Sequence, residues 1–136
     1  MRIRYVKPFE IPRYLLEQKK GWDLEVFYRQ AYANPDGWIS FILEKDETDI
    51  GAFILFDDTL SSSIGAHTLI VDKTYRTEWV VTEAIRTVYE TMKEIASEWG
   101  RRFVMAQVVN PEQYIRRLGF PEGLEVREYI IAEEVG

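Results

Sequence analysis

Between residues 38 and 71 three apolar runs, WISFILEK (38–45), IGAFILF (50–56) and IGAHTLIV (64–71), are separated by the turn-rich stretches DETD and DDTLSSS. Short runs rich in β-branched and aromatic residues, punctuated in this way, predict consecutive antiparallel strands. The period then changes. Val81, Ala84, Ile85, Val88, Met92, Ile95, Ala96 and Trp99 fall on one helical face, opposite Glu83, Arg86, Glu90, Lys93 and Glu94. That stripe predicts a long amphipathic helix over 79–99, stopped by Gly100.

The flanks carry shorter signals. IRYVK (3–7) has the alternation of a strand, and PFEIPRYLLEQKKG reads as a helix with Pro12 in its first turn and Gly21 at its end. A second helix starts from Asp23 as cap, places Leu24, Phe27, Tyr28 and Ala31 at helical spacing, and gives way to the turn Asn34-Pro35-Asp36-Gly37. RFVMAQVV (102–109) is a fifth strand. NPEQYIRRLGF is a short helix capped by Asn110, with Pro111 at its first position, and LEVREYIIAEE (124–134) is a final strand. The order is β α α β β β α β α β. A strand-helix-strand unit of this length predicts that 64–71 and 102–109 run parallel, with the long helix as the crossover. With no internal repeat and no linker, residues 1–136 read as a single domain.

A 136-residue chain buries roughly two-thirds of its unfolded surface, enough for a real core. The net charge of −6 and pI near 4.9 argue against nucleic-acid binding, which needs a basic face for phosphates. The basic pairs Lys19-Lys20, Arg101-Arg102 and Arg116-Arg117 read as solvated charges at element ends or as local anion sites. Absence of cysteine removes disulfides, thiolate nucleophiles and Cys-based zinc sites, and the single histidine, His67, is too few for a metal cluster, so no metal is expected. The start lacks the apolar core of a signal peptide and no stretch has bilayer-spanning length, which predicts a protein without membrane contact, in the cytoplasm or a virion interior.

The element order, together with the stretch HTLIVDKTYRTEWVVTEAI, resembles the GNAT (Gcn5-related N-acetyltransferase) family over nearly the whole chain. The resemblance implies an α/β (α+β) class, with the GNAT-like acyl-CoA N-acyltransferase fold: a mixed, mostly antiparallel sheet flanked by helices. In the family a strand with a Leu-x-Val-type end runs into an Arg/Gln-x-x-Gly-x-Gly/Ala loop that opens the central helix. Here Leu69, Ile70 and Val71 end the strand and Arg76 opens the loop, but Trp79 and Val81 stand at the glycine positions. The implied co-substrate is acetyl-CoA, held by Leu69, Ile70, Val71, Arg76, Thr77, Trp79, Val80, Val81 and Thr82. A helix N-terminus offers unpaired N–H groups and a positive dipole end to a diphosphate when the backbone can be approached closely. Trp79 and Val81 obstruct that approach, while Thr74, Arg76 and Thr77 offer side-chain donors in compensation. Asn110 is either a further contact to CoA or simply the helix cap.

Two residues carry the implied chemistry. In the family a tyrosine four residues before a Gly-Phe protonates the departing thiolate; here that position is Ile115, and Tyr114 stands one step earlier, about 100° around the helix. His67 has a spacing similar to the strand histidine that removes a proton in arylalkylamine N-acetyltransferases. Alternation puts it on the face of Leu69 and Val71, so it reads either as a general base or as a buried, hydrogen-bonded core histidine. Glu44 and Asp57, at strand ends, are weaker candidates for the same role. Two functions follow: transfer of an acetyl group to a small-molecule or peptide amine by direct attack, or a non-catalytic GNAT-like scaffold similar to internal virion or accessory proteins of phages. A homodimer or virion proteins are the partners these readings allow.

Overall fold

The alternation over residues 38–71 folds into three antiparallel neighbours, β2 (Trp38–Lys45), β3 (Thr48–Asp58) and β4 (Ser63–Val71), joined by short turns. The β2–β3 turn places Asp46 and Glu47 at positive φ, the geometry of a tight hairpin. The computed structural model describes residues 1–108, 110–127 and 130–135. Around the hairpin core lie β1 (Arg2–Val6), a 3-10 turn (Pro8–Glu10), α1 (Arg13–Leu16) and α2 (Leu24–Ala33). After it come α3 (Glu78–Glu98), β5 (Phe103–Gln107), α4 (Pro111–Leu118), β6 (Glu125–Arg127) and β7 (Ile130–Glu134). The strands make one seven-stranded sheet in the order β1-β2-β3-β4-β5-β7-β6. Among the described residues only β4 and β5 pair in parallel, and α3 is their crossover, as the sequence predicts.

Both sheet faces are covered. Ile39, Leu43, Phe53, Leu55, Ile64 and Val71 pack with the apolar stripe of α3, represented by Ala84, Val88, Met92 and Ala96. On the other face Ile42, Ala52, Ile54 and Ile70 meet Ile11, Leu15, Leu16 and Phe27. Burying each of the larger side chains contributes about 1.5–3 kcal/mol against the entropy of folding. The predicted caps form: Asp23 accepts from the Val26 N–H, and Asn110 from the Gln113 N–H at 3.4 Å. Gly119 closes α4 at φ +79.

Three boundaries differ from the sequence reading. The first helix stops at Leu16 instead of Gly21, because Gln18 leaves the helical path. Its amide donates to the Tyr14 carbonyl and to Asp72, and it accepts from the Lys73 N–H at 2.8 Å, pinning the chain over the end of β4. The fifth strand ends at Gln107, and its expected last residue, Val109, lies outside the described residues. The expected single terminal strand is two, β6 and β7, paired antiparallel. LEVREYIIAEE contains no glycine, proline or asparagine to signal a reversal.

Candidate functional site

The parallel ladder between β4 and β5 runs from Ser63↔Phe103 to Ala66↔Ala106 and stops there, although β4 continues to Val71. Beyond Ala66 the two strands part. The Asp72 N–H donates to the Ile50 carbonyl on β3 at 2.8 Å. Successive strand residues turn to opposite edges, so Ile70 and Thr68 also face β3, while the N–H groups of Leu69 and Val71 face the gap. The gap opens into a cleft of about 380 Å³. Gln18 and Lys19 bound it on the α1 side, Val81, Ile85 and Tyr89 on the α3 side, and Tyr114 and Leu118 on α4.

His67 lines this cleft, but on a different face from the one alternation predicts. The β3–β4 register pairs Ile54 with Thr68 and Leu55 with Ala66, so His67 is the extra residue of a β-bulge. A bulge reverses the inside-outside parity beyond it. Leu69 and Val71 consequently pack toward α3, while the imidazole meets Trp38 at 4.7 Å, Trp22 at 5.7 Å and Phe56 at 6.5 Å between ring centroids. Trp22 and Trp38 belong to the opposite, α1–α2 cluster. The ring is exposed and has no hydrogen-bond partner among the described residues, which removes the reading of a buried, hydrogen-bonded core histidine. Desolvation by these aromatic neighbours, and secondarily the charge of Lys19, lowers its pKa below the ordinary 6.5. Both effects favour the neutral imidazole.

Tyr114, half-buried on α4, lines the same cleft. A second tyrosine that the sequence reading missed, Tyr89 on α3, lies there too, but donates to the buried Glu133 carboxylate at 2.6 Å. Burial first, and then that carboxylate, raise its pKa well above the ordinary 10. A phenol held this way is a poor proton donor to any other group. Lys19 and Gln18 also escaped notice as cleft residues, since they lie about fifty positions from His67 in sequence and only folding brings them together.

The donor-loop residues divide. Leu69, Ile70, Val71, Arg76 and Val81 line the cleft; Thr77, Trp79, Val80, Thr82 and Asn110 lie outside its wall. Thr77 caps α3 by accepting from the Val80 N–H at 3.2 Å, and the Val81 N–H is bonded to the Thr77 carbonyl. This leaves the N–H groups of Glu78 and Trp79 without protein acceptors among the described residues. The Glu78 carboxylate beside them is paired with Arg117 at 2.9 Å. The Trp79 indole is 74% exposed, so it does not pack over the helix start. The backbone N–H groups of Leu69 and Val71 and the apolar walls suit a thioester and its pantetheine arm; two free N–H groups and Arg76 remain for a diphosphate.

Glu44 and Asp57 do not face the cleft. Glu44 is paired with Arg4, and Asp57 with Arg101 through Nε at 2.6 Å and Nη2 at 2.8 Å, which holds the Asp57 carboxyl below its usual range. Among the described residues no three His, Asp or Glu side chains converge on a metal site, and no helix is long and apolar enough to cross a membrane.

No protein-family profile matches the chain, and no curated protein sequence matches it. Solved structures do. A GNAT-family N-acetyltransferase of Escherichia coli in complex with CoA superimposes with TM-score 0.68 at 22% identity, over 99% of this chain and 81% of that one. A Desulfovibrio desulfuricans protein described as an acetyltransferase of the GNAT family gives 0.69 at 14% identity, over 99% of both chains. An IAA acetyltransferase of Bacillus cereus gives 0.65 at 13%, over 98% of both. The chain has the GNAT acyl-CoA N-acyltransferase fold.

Proposed function

We propose that this protein transfers an acyl group from acyl-CoA to an amine within a ternary complex. The observation that carries the reading is the parting of β4 and β5 beyond Ala66↔Ala106, which puts His67 and Tyr114 on one cleft. Acyl-CoA supplies the activated carbonyl as a thioester. The N–H groups of Leu69 and Val71, turned into the gap, orient and polarise that carbonyl. His67 takes the ammonium proton, directly or through water, and the freed amine attacks the carbonyl carbon. The new C–N bond replaces the C–S bond, Tyr114 gives its proton to the departing thiolate, and the second proton that the nitrogen sheds as it becomes an amide restores the phenol, directly or through water. No enzyme nucleophile is required, which suits a chain without cysteine.

The test has two parts. Acetyl-CoA is expected to raise the melting temperature more than desulfo-CoA, and thiol release is expected to depend on an added small-molecule or peptide amine. The loss of both glycines around a 74%-exposed Trp79 favours the alternative of a non-catalytic scaffold; an unchanged melting curve at saturating acetyl-CoA would select it.

A further inference from the structure

Building on the reading of the cleft as an acyltransferase site, we propose that its acceptor is a primary amine on an aromatic body that also bears a carboxylate, the chemistry of an aromatic amino acid. Shape supports the first half. The imidazole of His67 is bracketed by Trp22 and Trp38, both half-buried, with Phe56 beyond; these rings flank the cleft on the α1–α2 face and are not part of its own lining. Phe27 packs behind both indoles, at 5.0 Å from Trp22 and 6.0 Å from Trp38. These rings are backed by the α1–α2 core cluster, so their orientation is fixed before a ligand arrives. An amine that reaches His67 from this side brings its body against flat aromatic surface, which favours a flat apolar group by stacking and edge contacts.

Charge supports the second half. Among the described residues the lining of the cleft includes the cations Lys19 and Arg76 and no aspartate or glutamate. Arg76 lies at the α3 end, held to the Val71 carbonyl on the side of the cleft read as the donor's. Lys19 lies on the α1 side, close enough for its charge to act on His67, and no ion pair engages it among the described residues. A site for a polyamine or aminoglycoside must neutralise several ammonium groups, and a cleft lined by two cations and no carboxylate cannot do so. A carboxylate on the acceptor instead pairs with Lys19 while the amine addresses His67. The buried Thr68 hydroxyl, next to His67 on the cleft wall and without a partner among the described residues, offers a further polar contact.

His67 is the only histidine, so its imidazole C–H signals can be followed by NMR in the full-length protein without assignment. With acetyl-CoA present, L-phenylalanine, phenethylamine and spermidine are titrated in turn, and thiol release is measured on the same samples. L-Phenylalanine is expected to shift the imidazole signals at the lowest concentration, phenethylamine at a higher one and spermidine least. Lys19→Gln is expected to weaken L-phenylalanine by about tenfold, the loss of one charge-assisted contact, and to affect phenethylamine, which has no carboxylate, far less. Trp38→Leu is expected to weaken both. Spermidine acting at the lowest concentration, or equal response to phenylalanine and phenethylamine with no effect of Lys19→Gln, overturns the proposal. Thiol release with spermidine as the best acceptor would leave acyl transfer standing and this acceptor class wrong. A phenylalanine-dependent shift with no thiol release would do the reverse.

Discussion

The guanidinium of Arg76 folds back five residues and donates from Nε and Nη2 to the Val71 carbonyl, at 3.1 and 2.7 Å. The carbonyl belongs to the edge of β4 that faces the gap, so Arg76 ties the donor loop to the cleft wall while its Nη1 stays available. An arginine fixed by two bonds to a backbone oxygen is pre-oriented for an anion beside it. Arg76→Ala is expected to weaken acetyl-CoA binding by about tenfold or more, as for a lost charge-assisted contact, measured by calorimetry. Arg76→Lys is expected to restore little, because an ammonium cannot hold the carbonyl through two forked N–H groups. Full affinity in Arg76→Ala would show that the loop plays no part in donor binding.

The two candidate residues that line the cleft, His67 and Tyr114, have separable kinetic effects. His67→Ala is expected to lower turnover about 10²-fold, the usual scale for a general base. Tyr114→Phe is expected to lower kcat with acetyl-CoA affinity unchanged, since its proton is needed only as the thiolate leaves. The pH profile follows from the direction of the His67 shift. The base must be neutral, and a lowered pKa keeps it neutral to lower pH. The acid limb of kcat/KM is therefore expected below the ordinary value near 6.5. Lys19→Glu replaces a nearby cation with an anion, which favours the imidazolium, and is expected to move that limb upward.

The parts of this fold legible in the sequence are those fixed by periodicity and caps. The apolar stripe from Val81 to Trp99, the Asp23 and Asn110 caps and the parallel β4–β5 pair all follow from local pattern. The face of His67 does not, because one bulged residue reverses the parity of a strand without changing its composition. Alternation alone puts His67 with Leu69; the register puts it with Trp38. Lys19 illustrates a second limit of local pattern: as half of a Lys-Lys pair it looks like a solvated helix end, and its place beside His67 arises only from the way Gln18 fastens α1 to Asp72 and Lys73. Asp57 has the strand-end position of a base, but Arg101, distant in sequence, occupies its carboxylate.

Gly65 pairs with Phe56 across β3 and β4, and a Cβ at Gly65 would run into the Phe56 ring. The ring lies over the glycine and forms part of the aromatic surround of His67. Gly65→Ala is expected to destabilise the protein by about 1–3 kcal/mol through overpacking, seen as a lower urea midpoint. The cost should shrink in a Phe56→Leu background, where the clashing ring is gone. Equal costs in both backgrounds would mean that the close approach of Phe56 is not what requires glycine here.

The start of α3 offers the sharpest test of donor binding, because its two departures from the family pattern act on the same N–H groups. Glu78 and Trp79 carry the free N–H groups, and the Trp79 side chain stands beside them, 74% exposed. An indole so exposed contributes little packing, so Trp79→Gly sacrifices mainly helix propensity, about 1 kcal/mol. Val81 is half-buried against the α3 core cluster and lines the cleft, so Val81→Ala widens the first turn at a cost of about 0.8 kcal/mol for each methylene removed from the core. If these side chains obstruct a diphosphate, the double variant should melt at a lower temperature without ligand yet bind acetyl-CoA more tightly than the parent. The gain should vanish with desulfo-CoA only if the thiol end is also needed, and with dephosphorylated pantetheine in any case, since that probe carries no diphosphate. If the double variant instead binds acetyl-CoA more weakly, Trp79 is a contact to the donor and not an obstacle, and the loop reaches CoA by side chains where the family uses bare backbone.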